Sequence, residues 1–378
     1  MIYAPQRLKD QTPIGLIGMI ALVVAVETCV FRDNPAHTSI HAASWRFVER
    51  QSRRAGAGAD VLCFGDSLVQ FGLYPPVLES VTGTHAYNFA LQSGPTPAAY
   101  FVLRRVLGRR RTKPRAAIID TGEGVLDQGP RSTKRPYPWA DFLSLTEAAE
   151  LSLTTRDPDL FVRIVVDKAL HSRKNRHEIR ADFNCALHGE TGFLRKYGRG
   201  FSLHWARNRG AQVNPKHDFQ EPAYPPSGQR IGTWAADPIN RLYLEKFLDL
   251  AAMRGVTVFW LLPPLHPVYH AHSRFRGDEA LFTEFVRDVR NRHPEVVVID
   301  GRDAGYDRTV YIDEAHLDAE GATALSQNLG RLVNAYNANP RDFPCWVRLP
   351  DYRSPQLMPL ENILDSCAIA ARPRPVLR

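Results

Sequence analysis

The order of apolar and polar positions divides the chain into stretches of different rhythm. From Ile14 to Val26 every residue is apolar or glycine, and Arg7 and Lys9 stand before the run. Thirteen such residues suit the core of a secretory signal, and continuing through Glu27 and Thr28 to Phe31 gives a short membrane anchor. From about 59 to 126, and again from 237 to 338, short apolar runs alternate with helical patterns. The runs 60–65, 85–90, 116–120, 256–262 and 296–300 read as strands. The stretches 75–82, 97–107, 237–253, 279–292 and 319–336 read as helices. Strands alternating with helices predict a parallel sheet with right-handed crossovers, the α/β class.

Residues 126–235 break this rhythm. A capping box at Ser144-Leu-Thr-Glu147 and a helical pattern over 159–170 lie among loops rich in Arg, His, Gly and Pro, with no clear strand. The segment reads as a helical insertion over the carboxyl edge of the sheet, a lid or substrate platform, or equally a surface subdomain. Residues 32–58 read as a stalk that enters a helix at 42–53. The Pro-rich tail, 339–378, reads as extended chain wrapping a domain that spans 59–338.

Candidate chemistry enters at Asp60-Val-Leu-Cys-Phe-Gly-Asp-Ser-Leu68. A buried strand ending in Gly65-Asp66-Ser67 places a hydroxyl at the carboxyl edge of the sheet, where open α/β proteins bind ligands. The residues after it, 68–74, start a helix whose first amides favour developing negative charge. A serine hydroxyl is weak at its own pKa and needs a base. Asp313 and His316, three apart in Tyr311-Ile-Asp-Glu-Ala-His316, supply one: the carboxylate fixes the imidazole tautomer, and the other ring nitrogen takes the serine proton.

These two blocks resemble the SGNH (GDSL) hydrolase superfamily, with its N-terminal Gly-Asp-Ser and C-terminal Asp-x-x-His. The similarity covers about 58–126 and 250–335. It implies a three-layer α/β/α sandwich of flavodoxin-like kind and ester chemistry in which Ser67 attacks, His316 is the base and Asp313 orients it. The family's second block resembles Tyr87-Asn88-Phe-Ala-Leu-Gln-Ser-Gly94, which makes the amides of Gly94 and Ser67 the expected oxyanion donors. The third block, Gly-x-Asn-Asp, is not matched: the chain reads Asp120-Thr-Gly122-Glu-Gly124, without asparagine. The G-x-S-x-G elbow is also absent, because Val69 stands at its second glycine.

Composition adds bounds. Among 378 residues, 44% are hydrophobic and 23% charged, ordinary for a folded protein with a substantial core. The net charge of +8 permits weak attraction to acidic polysaccharide or phospholipid. No nucleic acid partner is expected, since no base-stacking motif accompanies the charge. The arginine cluster from Arg104 to Arg115 reads as a solvated helix end. Cys29, Cys63, Cys185, Cys345 and Cys367 show no metal spacing; Cys63 reads as a core residue, and a bridge between Cys345 and Cys367 stays open. His266, His270 and His272 read as a loop lining the pocket, with no metal and no cofactor expected. The basic residues before the apolar run keep the N-terminus inside, so the remainder lies outside the cytoplasm, membrane-anchored or released. The expected function is a serine esterase acting on an acylated carbohydrate or other small ester. An O-acyltransferase using the same triad and a non-catalytic binding module of this fold are the alternatives.

Overall fold

The computed structural model describes residues 14–33, 39–54, 58–110, 112–129, 138–190, 193–216 and 233–353. Among them, β1 (Val61–Phe64), β2 (Ala86–Asn88), β3 (Ala116–Asp120), β4 (Thr257–Leu262), β5 (Val297–Asp300) and β6 (Trp346–Arg348) form one sheet. Its order is β2-β1-β3-β4-β5-β6, and every pair is parallel.

Two helices precede the sheet, α1 (Ile14–Asp33) and α2 (Ile40–Arg54). After β1 come α3 (Ser67–Gly72) and α4 (Pro75–Thr82); after β2, α5 (Thr96–Gly108); after β3, α6 (Glu123–Leu126). The insertion carries α7 (Trp139–Phe142), α8 (Leu145–Thr155), α9 (Pro158–Ala169), α10 (His171–Lys174), α11 (Arg176–Leu187) and α12 (Phe193–Arg207). Then α13 (Pro238–Met253) leads into β4, α14 (Pro267–Arg276) and α15 (Asp278–Arg292) into β5, and α16 (Ala319–Ala338) into β6.

Successive strand residues face opposite ways, so each buried strand feeds two cores. Leu62, Phe64, Ile119, Trp260 and Val298 pack with Phe101 of α5, Phe247 of α13 and Phe285 of α15. Val61, Cys63, Ile118, Phe259 and Ile299 pack with Leu78 of α4 and Leu325 of α16. Helices cover both faces, giving three layers. Each large apolar side chain removed from water in these cores contributes about 1.5–3 kcal/mol.

Four expectations need correction. The segment expected as a stalk holds α2, whose Trp45, Phe47 and Val48 lie in the first core; Trp45 is edge-on to Trp139 and Phe142 of the insertion. A helix with three large apolar groups spread over half its circumference packs into the domain, Trp45 against Trp139 and Phe142 and Phe47 against Trp205, because leaving them in water costs more than ordering it. The tail supplies a sixth strand, with Trp346 opposite Val298 and Arg348 opposite Asp300; residues after 353, Cys367 among them, lie outside the described residues. The histidine stretch is a helix, not a loop: the His266 ring accepts the Val268 amide and caps α14. The arginine cluster is not all solvated, since Arg105 is buried against both carboxylate oxygens of Glu147 and Arg104 pairs with Glu150, tying α5 to α8. Arg111 lies outside the described residues.

The insertion behaves in two ways. Its helices extend the first core sideways, through Trp139, Leu151, Ile164 and Trp205. Its return segment runs along the carboxyl end of β2: the Asn88 amide donates to the Arg209 carbonyl, and the Gln212 amide donates to the Gln70 carbonyl. α1 stands apart from both cores. It is the one helix among the described residues long and apolar enough to cross a membrane, with mean hydropathy 1.9 over 18 residues and none of that window buried. Its far end meets the insertion: the Glu27 carboxylate accepts the amide and hydroxyl of Ser172, and Phe31 packs 5.1 Å from the His171 ring.

Candidate active site

β1 delivers the serine. The chain leaves the strand at Gly65 with φ +142°, and a Cβ there would meet the Asp120 carbonyl oxygen at 2.8 Å. Only glycine fits both the angle and the space. Asp66 then caps α3, its Oδ1 accepting the Leu68 amide at 2.8 Å, and Ser67 opens the helix.

The histidine arrives from the opposite side of the sheet order. Asp313 folds its own segment: Oδ1 accepts the amides of Ala315 at 2.9 Å and His316 at 2.8 Å, a local turn of the kind aspartate makes. Its Oδ2 stands 2.7 Å from His316 Nδ1, and His316 Nε2 stands 2.8 Å from Ser67 Oγ. The Phe71 ring, 4.6 Å away, covers the imidazole from α3. The arrangement brings the three expected residues into one hydrogen-bonded line. Burial pushes the Asp313 carboxyl up, but the His316 hydrogen bond and charge and the two amides outweigh it and hold it below the usual range.

Two further carboxyls lie beside the serine: Asp66, which borders the cavity, and Asp120, which is buried. Burial raises Asp66, with the Leu68 amide and the charge of His316 opposing. Burial and then the charge of Asp66 push Asp120 well above the ordinary value, against the amide of Gly122. Two like charges held close together disfavour double ionisation, so the environment favours the protonated form of Asp120 while Asp66 is charged.

Gly94, expected as an oxyanion donor, does not serve as one here. Its amide donates to the Leu91 carbonyl at 2.9 Å and closes a turn, and it does not line the cavity. The residue before it does: Ser93 lines the cavity with φ +52°. The Trp45 indole donates to the Gln92 carbonyl at 3.1 Å, and in a trans peptide the Ser93 amide points the other way. Sequence reasoning missed Ser93 because a serine carries no sign that its backbone will be left-handed.

The serine and histidine open into a cavity of about 620 Å³. Leu68, Val125, Leu262, Leu265 and Phe282 give it apolar walls; Glu123, Tyr269 and Arg302 add polar ones. Glu123 also escaped the sequence reading, though it sits between Gly122 and Gly124 straight after β3. Burial raises its carboxyl, opposed by hydrogen bonds from Ser273 and Tyr269. Within 126–235, Gln128 is the described residue that lines this cavity, so the described insertion helices form no lid over it. Compared with known proteins, the sequence matches no family model and no curated protein.

Proposed function

We propose that the protein is a serine-dependent acyl-transfer enzyme of the SGNH type that cleaves an ester outside the cytoplasm. The observation that carries this reading is the continuous relay from Ser67 Oγ through His316 to Asp313, at 2.8 and 2.7 Å, on the rim of a cavity. His316 takes the Ser67 proton as Oγ attacks the ester carbonyl, and Asp313 keeps the imidazole in the correct tautomer. The amides of Ser67 and Ser93 stabilise the oxyanion. The alkoxide leaves with the proton from His316, and water then resolves the acyl-serine by the same steps in reverse.

An O-acyltransferase reading uses the same relay, with a hydroxyl acceptor replacing water. The contact of Glu27 with Ser172 favours a retained N-terminal helix over a cleaved signal, because a helix docked to the folded domain is part of it. Such a helix keeps the enzyme beside envelope acceptors. A binding module without catalysis would have no use for a serine and histidine in hydrogen-bond register.

The test is a fluorophosphonate probe followed by peptide mapping. Labelling at Ser67, abolished in Ser67→Ala, supports the reading. Absence of labelling together with absence of a p-nitrophenyl acetate burst would sink it. Product analysis with and without a carbohydrate acceptor separates hydrolysis from transfer.

A further inference from the structure

A second, polar pocket of about 310 Å³ adjoins the catalytic cavity and shares Glu123, Gly124 and Tyr269 with it. Its other walls include Asp127, Trp234, Arg276 and Asp278. We propose that this side pocket binds the sugar ring of an acylated glycoside, presenting one esterified hydroxyl to Ser67 across Glu123. The proposal rests on the acyl-transfer reading for its chemistry and names the substrate class.

Three observations carry it. First, the wall chemistry is that of a polyol site: carboxylates that accept from hydroxyls, a guanidinium that donates, and an aromatic edge. Second, Asp278 is 5% exposed, and its Oδ1 has no hydrogen-bond partner. Its Oδ2 is held by Arg276 at 2.7 Å. Oδ1 is itself shielded from solvent, so the carboxylate turns toward the pocket to accept from a sugar hydroxyl. Third, the aromatic wall is pre-set: the Trp234 indole donates to the Glu123 carbonyl at 2.9 Å, and its ring stands edge-on to Phe282 and Phe285 at 5.4 and 5.7 Å. This leaves little ordering to be done on binding.

A cation is the weaker occupant. Arg276 already neutralises Asp278, and no three His, Cys, Asp or Glu side chains among the described residues converge on a metal position. The apolar walls of the larger cavity then receive the acyl group, and the polar pocket the alcohol.

The experiment uses the full chain with p-nitrophenyl acetate and a panel of 6-O-acetyl methyl hexosides (gluco, galacto, manno and N-acetylglucosamine). In Asp127→Asn and Asp278→Asn, kcat/KM on the preferred hexoside, divided by that on p-nitrophenyl acetate, should fall about tenfold, mostly through KM, the scale of one lost hydrogen bond to a charged group. Ratios within twofold of wild type in both variants, over the whole panel, would overturn the proposal. Binding of the deacylated methyl hexosides to Ser67→Ala, followed by calorimetry, gives a readout that needs no catalysis. Hexoside binding that weakens in Ser67→Ala/Asp278→Asn supports the side pocket even if the fluorophosphonate test fails. Serine labelling with no hexoside binding and unchanged ratios removes the pocket and leaves the enzyme.

Discussion

Gly65 and Asp120 are packed backbone to backbone: a side chain at Gly65 would place its first carbon 2.8 Å from the Asp120 carbonyl oxygen. This contact sets how far the β1 chain leans toward β3 before it turns into Ser67. Gly65→Ala should therefore destabilise by about 1–3 kcal/mol through strain and overpacking. It should also lower kcat by about 10²-fold, since the hydroxyl moves relative to His316. Thermal melts and steady-state rates on the same preparation check both; full activity would show that the turn tolerates a Cβ.

The relay itself is tested by Ser67→Ala and His316→Ala, each expected to lower the rate by at least ~10³-fold with little change in Tm. Asp313→Asn should do the same, with an added effect of pH. Because the Asp313 carboxyl is held low, its contribution to stability is present above the ordinary range, near ~4, and fades as pH falls through its folded value. Melts of wild type and Asp313→Asn should accordingly converge in acid and separate toward neutrality.

Asp120 gives the opposite sign. Its carboxyl is raised, so the unfolded chain loses that proton before the folded one does, and stability declines as pH rises above ~4. Asn mimics the protonated form at nearly the same volume. Asp120→Asn should match wild type near pH 4 and exceed it in Tm at pH 7.5. A lower Tm at pH 7.5 would mean that the ionised carboxylate is the stabilising species.

Ser93 holds a left-handed backbone, φ +52°, that serine seldom adopts. Ser93→Gly keeps the amide and removes the strain, so rates should stay within about twofold, with a gain in stability below ~1 kcal/mol. Ser93→Val should lose both activity and stability. Equal activity in the two variants would remove this amide from the oxyanion site.

The two N-terminal helices should separate in a truncation series. α1 contributes nothing to either core, so a chain starting at residue 34 should keep its Tm within a few degrees and leave the membrane fraction on carbonate extraction. A chain starting at residue 55 loses Trp45, a truncation worth about 3–5 kcal/mol by itself, and should not fold stably.

Much of this architecture was legible because burial writes itself into composition. Val61 to Phe64 could only be an interior strand, and Asp313 and His316 sit three apart because one aspartate both folds the turn and holds the ring. What escaped was decided by tertiary context. Residues 42–53 read as a helix belonging to a stalk until Trp139 and Phe142, nearly a hundred positions on, arrive to cover Trp45. Trp346-Val-Arg348 is too short to announce a strand and becomes one only because β5 offers a free edge. Gly94 matched a motif by type, yet its amide is spent on the Leu91 carbonyl and it is the neighbouring Ser93 that lines the cavity; no residue pattern distinguishes the two. Glu123 has no periodicity to betray it.

The sheet ends on both sides in strands of three residues, β2 and β6. Beside β2 the Asn88 amide is already taken by Arg209 from the insertion, and β6 carries Arg348 at its tip. Neither margin offers a long, flat ladder onto which a second copy could zip. Concentrated protein should consequently resist fibre formation, and whatever self-association it shows should run through side chains, not through shared sheets.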